Sequence, residues 1–400
     1  MGRLHKKWNI TYLWKEKKVK KQKNILVYTF LFFLIGVITF SDKISTSKIF
    51  YFTSVVYAIA CVFYIFKRRN AIRFNFCLLL NLGFVFFLLL SILWQKTDLY
   101  YSTRLSTEIL IFIFCFLTVQ WIISLDDIHR AFHCIVFANV FNCIYRLCTG
   151  GIQEVLGHLK SQVPLIVGAN DVAVALVLTF ALTIYLFRLE RKKIYILYAG
   201  LFLAVGFMTA SRKAIIGFAL VIIIQYVFKD NHLLKNLIVT CCVLAVVFLI
   251  FNKVPVFAYA NERLQQLADF SSGMTENDSS STIRQHMIEV GLAAFKRRPL
   301  LGYGVGYSYQ YLVGTYLHNN YVEIGVSLGS IGLLLFYFPH ILILCKTGKV
   351  LFNRNVCITI LTLVLSLLLM DFGAVTYFNK FVFIMLNILY VFEKCGIKEK

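Results

Sequence analysis

The sequence is dominated by apolar segments of about 17 to 22 residues, each long enough to cross a bilayer as an α-helix. In such a helix every backbone N–H and C=O group is paired within the segment, as the membrane interior demands. Hydrophobic residues make up 59% of the 400 residues and charged residues only 15%, too few to cover a soluble protein of this size. The alternating pattern of a membrane β-barrel is absent. The sequence therefore predicts an all-α, polytopic membrane protein.

About twelve transmembrane helices are predicted from these segments. We place them near residues 24–41, 49–66, 74–94, 107–124, 131–148, 170–187, 194–210, 213–228, 235–252, 318–344, 355–370 and 379–393. The resulting organisation is a basic arm at 1–23, helices 1 to 9 within 24–252, a long polar loop at 253–317, helices 10 to 12 within 318–393, and a tail at 394–400.

The basic residues indicate the orientation of the chain. They concentrate in the N-terminal arm "KEKKVKKQK" and in alternate connections such as "KRRNAIR" and "RLERKK", whereas the opposite short loops carry few. The positive-inside rule then predicts that both termini are cytoplasmic and that the long loop at 253–317 is extracytoplasmic. The net charge of +22 is accounted for by topology, so nucleic-acid binding is not indicated.

No metal or cofactor site is expected from the sequence. The eleven cysteines are scattered, without CxxC spacing or a disulfide framework, and are interpreted as small apolar residues of the spans. No DxD occurs in the predicted outer segments, no His, Asp and Glu residues have metal-ligand spacing, and neither a P-loop nor a GxSxG motif is present.

The end of the long loop is predicted to form an amphipathic helix over residues 282–299. Thr282 is the expected N-cap, Gln285 completes a capping box and Pro299 ends the helix. Its apolar side is expected to lie against the membrane-embedded body. That side consists of Ile283, Met287, Ile288, Leu292 and Phe295.

A histidine, two amides and a carboxylate occur together in "TYLHNNYVEIG", where an apolar helix begins. They are His318, Asn319, Asn320 and Glu323. A helical repeat of about 100° per residue places His318 on one face with Gly325, Gly329 and Gly332, small residues that let another helix approach. The helix N-terminus disfavours imidazolium, so His318 is expected to be neutral and able to accept a proton. The alternative is a capping histidine bonded to a backbone carbonyl.

Further cations are expected near the same outer boundary. Arg212 and Lys213 form the tip of a hairpin in "MTASRKA" and either bind phosphate or serve as interfacial anchors. Arg284 begins the loop helix. Arg146 lies on one side of the fifth span with Asn139 and Asn142, where an arginine either lines a cavity or bonds a neighbouring carbonyl.

The segment "KRRPLLGYGVG" follows the loop helix. Its cations, residues 296–298, are interpreted as a solvated face or a contact for lipid head groups. Gly302, Gly304 and Gly306 could form a nest of backbone amides for phosphate. The GxGxG spacing is a weak signal without a strand before it.

Taken together, "TASRKA" at 209–214, "IRQHMIEVGLAAFKRRPLLGYGVG" at 283–306 and "HNNYVEIGVSLGSIGLLLFY" at 318–337 resemble the O-antigen ligase/polymerase superfamily. "GAND" at 168–171 is a looser match. The resemblance implies a GT-C-like glycosyltransferase on the outer face of the bacterial cytoplasmic membrane, working without metal or nucleotide sugar. Its donor is an undecaprenyl-diphosphate-linked glycan, its acceptor another glycan, and a chain-length regulator is an expected partner.

Carried onto this chain, the resemblance implies that Arg212 and Arg284 hold the diphosphate and that His318 orients or deprotonates the acceptor hydroxyl. Asn319, Asn320 and Glu323 would hold His318 or sugar hydroxyls, with Arg146, Lys213, Gly302 and Gly304 as further substrate contacts. A polysaccharide repeat-unit polymerase is favoured by residues 211–213 and 318–332. A ligase that transfers glycan to lipid A core or another acceptor is the alternative. A transporter of lipid-linked glycan is a third, although midplane charges and paired halves are not evident.

Overall fold

The computed structural model describes residues 22–40, 47–68, 72–95, 99–149, 169–209, 211–253, 279–347 and 354–396. These ranges are helical almost throughout and contain no β-strand. The predicted all-α class is therefore confirmed. The residues "GAND" fall partly outside the described ranges, as do the N-terminal arm and most of the long loop before residue 279.

The helices of the described ranges are numbered α1 to α13. They are α1 Gln22–Phe40, α2 Ser47–Arg68, α3 Phe76–Leu90, α4 Leu99–Trp121, α5 Leu125–Thr149, α6 Ala169–Glu190, α7 Ile194–Met208, α8 Arg212–Val227, α9 Leu233–Lys253, α10 Ser279–Arg297, α11 Asn320–Thr347, α12 Arg354–Asp371 and α13 Lys380–Gly396. A 3₁₀ turn, Ser91–Leu93, extends α3, and a π-helical turn, Ser308–Leu312, follows α10.

Eight helices of the described ranges are long and apolar enough to cross a membrane. Large apolar side chains are exposed on their outer faces, with Phe52 70%, Phe66 78% and Leu93 78% exposed. Such exposure on many helices is suited to lipid rather than to water. The chain is a multi-pass membrane protein. A helix lies at each of the predicted spans, and the total of twelve spans stays a prediction.

Helix α6 forms the centre of the bundle. In its most apolar 18-residue stretch, 83% is buried inside the protein. The helix packs against α5, α7, α8 and α12. The buried positions run along all sides of the helix, as expected of a helix surrounded by protein. Helix α11 packs against α3, α10, α12 and α13. The amino-terminal ends of α6, α8 and α11 are thereby held in one bundle.

The predicted glycine face of α11 is wrong, because α11 is not a regular helix. Gly329 has φ 66° and ψ −165°, a conformation that breaks the helical repeat. The segment after α10 docks there: the backbone N–H of Ser330 donates to Pro299 O at 2.7 Å. A side chain on Gly329 would clash with the backbone of Leu300. The kink thus comes from a contact with the loop, which helical periodicity does not reveal.

The predicted amphipathic helix is α10, and its details differ from the prediction. The helix already includes Ser279, so Thr282 lies inside it and is not the N-cap. Met287, Ile288 and Phe295 pack against a small cluster around Leu317, as expected. The packed face is rotated, however, because two residues assigned to it are exposed. These are Ile283, 53% exposed, and Leu292, 43% exposed.

Candidate functional site

The packed face of α10 carries Arg284. Arg284 lies three, four and seven residues before Met287, Ile288 and Gly291, a spacing that puts all four on one side of the helix. Gly291 allows close approach to the start of α11, since a Cβ there would lie 2.6 Å from Val322 Cγ1. Arg284 is partly buried. The docking of α10 therefore directs a guanidinium towards the beginning of α11.

His318 lies outside α11, in the left-handed region of the backbone with φ 54°. The N-cap is Asn319, whose Oδ1 accepts from the N–H of Val322 at 3.1 Å. His318 is thus neither part of the helix nor its N-cap. The structure places it in the loop that precedes the N-cap, which differs from both positions considered from the sequence. A non-glycine residue at positive φ costs roughly 1–2 kcal/mol, and such strain is retained where the surroundings dictate it.

The imidazole of His318 is held in its neutral form. Partial burial lowers its pKa from 6.5 to about 4, with further contributions from the charges of Arg284 and Lys213. Its Nδ1 is buried and has no hydrogen-bond partner among the described residues. The ring is therefore uncharged at neutral pH and can accept a proton. The sequence predicted a neutral ring from the helix N-terminus, whereas burial is the main cause in the structure.

The cations of α8 begin that helix. Arg212 is its first residue and Lys213, its second, interacts electrostatically with Arg284 and His318. Lys213 packs against Gly373 in the turn between α12 and α13, where a Cβ would lie 3.1 Å from its Nζ. An anchor that extends to the membrane surface would not lie in this contact. Lys213 is the α8 cation that acts on His318.

Asn319 and Asn320 attach the start of α11 to the turn between α12 and α13. Asn319 Nδ2 donates to Phe372 O at 3.4 Å. Asn320 Oδ1 accepts from the backbone N–H of Thr376 at 3.0 Å, and its Nδ2 donates to Asp371 Oδ2 at 3.1 Å. Asn320 is fully buried. The amide of Asn320 is thus bonded within the protein and has a structural role, and its contact with substrate stays a prediction.

Glu323 fixes the backbone immediately before His318. The buried carboxylate accepts from Ser308 Oγ at 2.6 Å and from the backbone N–H of Leu317 at 2.9 Å. One oxygen is bonded to each donor. Glu323 therefore holds the histidine's neighbour in place and ties it to the π-helical turn Ser308–Leu312. It also borders the cavity described below.

The amide nest expected at Gly302 and Gly304 does not form. The N–H of Gly302 donates to Arg298 O at 3.2 Å, and the N–H of Gly304 donates to Ser327 O at 2.8 Å. Both glycines are buried and have positive φ. Their amides are used to dock the loop on the kinked α11, so the glycines serve packing rather than phosphate binding.

A cavity of about 310 Å³ lies among α1, α4, α5, α6 and the ends of α11 to α13. Tyr316 forms part of its wall, and the Tyr316 ring lies 4.3 Å from the His318 ring, centroid to centroid. Arg146 lines it as well, and its Nε donates to Asn142 Oδ1 at 2.9 Å. The cavity-lining interpretation of Arg146 is therefore supported by the geometry. The charged residues of the wall are Arg104, Arg146, Asp171, Glu323 and Lys380.

Three of these charged residues were not identified from the sequence. Arg104 and Lys380 were not singled out in the sequence, and Asp171 appeared only as part of "GAND". The available signal was the position of each charge at the boundary of an apolar segment on the predicted outer side. No group of three His, Cys, Asp or Glu side chains in the described ranges has the arrangement of a metal site.

Comparison with known proteins identifies the domain. Residues 197–337 match the family model described as O-antigen ligase, and this range includes Arg212, Lys213, Arg284 and His318. No curated protein matches the chain significantly. The match indicates a glycosyltransferase-like enzyme of the O-antigen ligase/polymerase type that acts on lipid-linked glycans in a membrane. Over these residues, about a third of the chain, the resemblance to the O-antigen ligase/polymerase superfamily is confirmed.

Proposed function

We propose that the protein is a polysaccharide repeat-unit polymerase of the bacterial cytoplasmic membrane. It joins undecaprenyl-diphosphate-linked oligosaccharides on the outer face, with both termini in the cytoplasm and without metal or nucleotide sugar. The proposal is supported by the matched domain and by the resemblance of residues 211–213 and 318–332 to polymerases rather than ligases. The acceptor is the end of a second lipid-linked glycan, and a chain-length regulator is a further partner.

One observation carries the proposal: a neutral histidine is placed beside two cations contributed by different helices. Arg284 of α10 and Lys213 of α8 both act electrostatically on His318. A diphosphate bound by these cations would place the sugar attached to it near a group that accepts protons. Burial, together with the charges of the two cations, keeps the imidazole unprotonated, which is the state that a general base needs.

The transfer then proceeds as follows. A ring nitrogen of His318 takes the proton of the acceptor hydroxyl as the oxygen bonds to the anomeric carbon of the donor sugar. The bond between that carbon and the diphosphate oxygen breaks, and its electron pair leaves with undecaprenyl diphosphate. Arg284, Lys213 and Arg212 stabilise the charge that develops on this oxygen. The proton on His318 is released to the departing diphosphate or to water, which restores the neutral base.

The test is the glycan made by a host in which the gene is deleted and complemented with variants. Loss of a polymerase leaves single repeat units, whereas loss of a ligase leaves long chains on undecaprenyl diphosphate. We expect single repeat units for the deletion and for complementation with His318→Ala or Arg284→Ala. Both variant proteins should be present at normal levels and inserted in the membrane. Long retained chains would assign the ligase activity instead, and normal chains in both variants would contradict the assignment of the site.

Arg298 provides a matched control for Arg284. It lies just after α10, and its guanidinium carbon is 4.8 Å from the centre of the Tyr303 ring. Arg298→Ala removes the same charge near the same helix, but Arg298 is not among the charges that act on His318. We expect Arg298→Ala to complement the deletion.

A further inference from the structure

The cavity beside His318 has the volume of a small-ligand site. Its volume of about 310 Å³ is at the lower end of ligand pockets, roughly 300–1,000 Å³, and corresponds to roughly ten water molecules at liquid density. This is room for a sugar ring with its hydroxyl groups. The cavity is connected to the proposed reaction centre by Tyr316, whose ring contacts that of His318.

The charges of the wall have both signs. Arg104, Arg146 and Lys380 face the same space as Asp171 and Glu323. The two carboxylates offset part of the positive charge of the three cations, so this wall attracts a diphosphate less strongly than the cations alone would. A sugar hydroxyl both donates and accepts hydrogen bonds, and it finds donors and acceptors side by side here.

Apolar surface and neutral polar groups complete the wall. Tyr316 and Phe378 contribute aromatic rings, and Thr107 and Asn379 contribute a hydroxyl and an amide. Polar groups spread over such a surface are typical of sites that orient a neutral, polyhydroxylated molecule.

Two of the cations are held in position by neighbouring side chains. The guanidinium carbon of Arg104 lies 4.2 Å from the centre of the Phe378 ring. Arg146 is oriented by its bond to Asn142, one helical turn earlier in α5. Side chains that are already fixed lose little conformational entropy when a ligand binds, so a site built from them binds more tightly.

We propose that this cavity binds the terminal sugar of the acceptor glycan and directs its hydroxyl to His318. The proposal rests on the proposed function and extends it by naming a subsite for one of the two substrates. The lipid diphosphate of the donor binds beside this cavity, at the cations of α8 and α10, of which Lys213 interacts electrostatically with Asp171 of the cavity wall. Arg104, Arg146, Lys380, Asp171 and Thr107 are then residues that determine which acceptor sugar is accepted.

The experiment measures two affinities separately on the full-length protein in nanodiscs. One probe is the repeat-unit oligosaccharide released from its lipid by mild acid, and the other is undecaprenyl diphosphate without glycan. The variants are Arg146→Gln and the nearly isosteric Thr107→Val. The control is Arg130→Gln, which removes an arginine near the opposite end of α5, where it bonds Asn24.

We expect Arg146→Gln and Thr107→Val to raise the Kd for the oligosaccharide about tenfold or more, the effect of losing a hydrogen bond to a charged group or to a hydroxyl of the cavity wall. Undecaprenyl diphosphate should bind as before. Arg130→Gln should bind both probes like the wild type. If Arg146→Gln does not fold, the Kd of Thr107→Val for the oligosaccharide provides the test.

The proposal is overturned if the wild type does not bind the oligosaccharide saturably, or if Thr107→Val leaves its Kd unchanged. It is also overturned if folded cavity variants lose undecaprenyl diphosphate instead, since the cavity would then hold the lipid diphosphate. Failure of the proposed function has a different signature. The wild type would bind the oligosaccharide and the variants would lose it, but no glycan would be transferred.

Discussion

The side-chain amide of Asn320 donates to Asp371 Oδ2 across 51 residues of sequence, at 3.1 Å. The same carboxyl oxygen accepts from Tyr337 OH at 2.7 Å, and the other accepts from Thr376 Oγ1. All four residues are buried. This network joins α11, α12 and the turn before α13, and it fixes the helix end that follows His318.

Removal of the shared acceptor should destabilise the protein. Asp371→Ala leaves the buried hydroxyls of Tyr337 and Thr376 without their acceptor, while the Asn320 amide keeps Tyr337 OH, and each unsatisfied group costs about 1–3 kcal/mol. Tyr337→Phe removes one donor and should cost about 1 kcal/mol. Thermal unfolding of the purified protein in detergent measures both effects as a fall in Tm. We expect the larger fall for Asp371→Ala.

Tyr28→Phe is the control for the tyrosine variant. Tyr28 lies on α1 and is 63% exposed, so loss of its hydroxyl should leave the Tm unchanged. Equal Tm values for Tyr337→Phe and Tyr28→Phe would show that the buried network contributes nothing to stability.

The low pKa of His318 predicts an unusual pH dependence. The unfolded chain binds a proton at His318 near pH 6.5, whereas the folded protein does so near pH 4. The neutral ring therefore contributes stability above about pH 6.5, which is lost as the pH falls towards 4. Transfer activity should likewise persist down to about pH 4, as far as His318 is concerned. An acid limb with a midpoint near 6.5 in the profile of kcat would contradict the assigned environment.

The same environment predicts how a charge change moves the acid limb. Burial is the main cause of the low pKa, and the charge of Arg284 is the second. Arg284→Gln removes a positive charge, so protonation of His318 becomes easier and its pKa rises. The residual kcat of Arg284→Gln should fall off at higher pH than that of the wild type. Arg298→Gln should leave the midpoint where it is.

The sequence predicted the helices well because the length of an apolar segment is a local property. It also brought Arg284, Lys213 and His318 to one side of the membrane, since topology depends on the order of segments. It failed where a distant segment alters a helix, as at Gly329, where the loop around Leu300 docks. The predicted face from His318 through Gly329 assumed a continuous helix, and that assumption fails at Gly329.

The cavity was beyond sequence reasoning for a similar reason. Arg104, Asp171 and Lys380 lie at the ends of three helices that are far apart in the chain. No periodic pattern relates them, and their meeting depends on how α4, α6 and α13 pack. Arg146 was found because it lies within an apolar helix, where an arginine is conspicuous without knowledge of its neighbours.

Gly291 predicts a steric test of the contact between α10 and the start of α11. A side chain there meets Val322 Cγ1 at 2.6 Å and Leu317 Cδ1 at 2.8 Å from the Cβ alone. Gly291→Leu should therefore displace Leu317, the residue before His318, and cost about 1–3 kcal/mol. Glycan transfer in the complemented host should fall with it. Gly200→Leu is the control, since a Cβ at Gly200 meets no atom within 4 Å.

Gly302 and Gly314 separate two effects of a glycine substitution. Both have positive φ, 66° and 70°, so alanine at either position carries a backbone cost of roughly 1–2 kcal/mol. At Gly302 the Cβ would also lie 2.6 Å from the carbonyl oxygen of Val326, whereas at Gly314 it meets nothing within 4 Å. Gly302→Ala should therefore lower the Tm clearly more than Gly314→Ala. Equal falls in Tm would mean that the docked loop moves aside without loss of stability. The kinked α11 would then not depend on the contact between Gly302 and Val326.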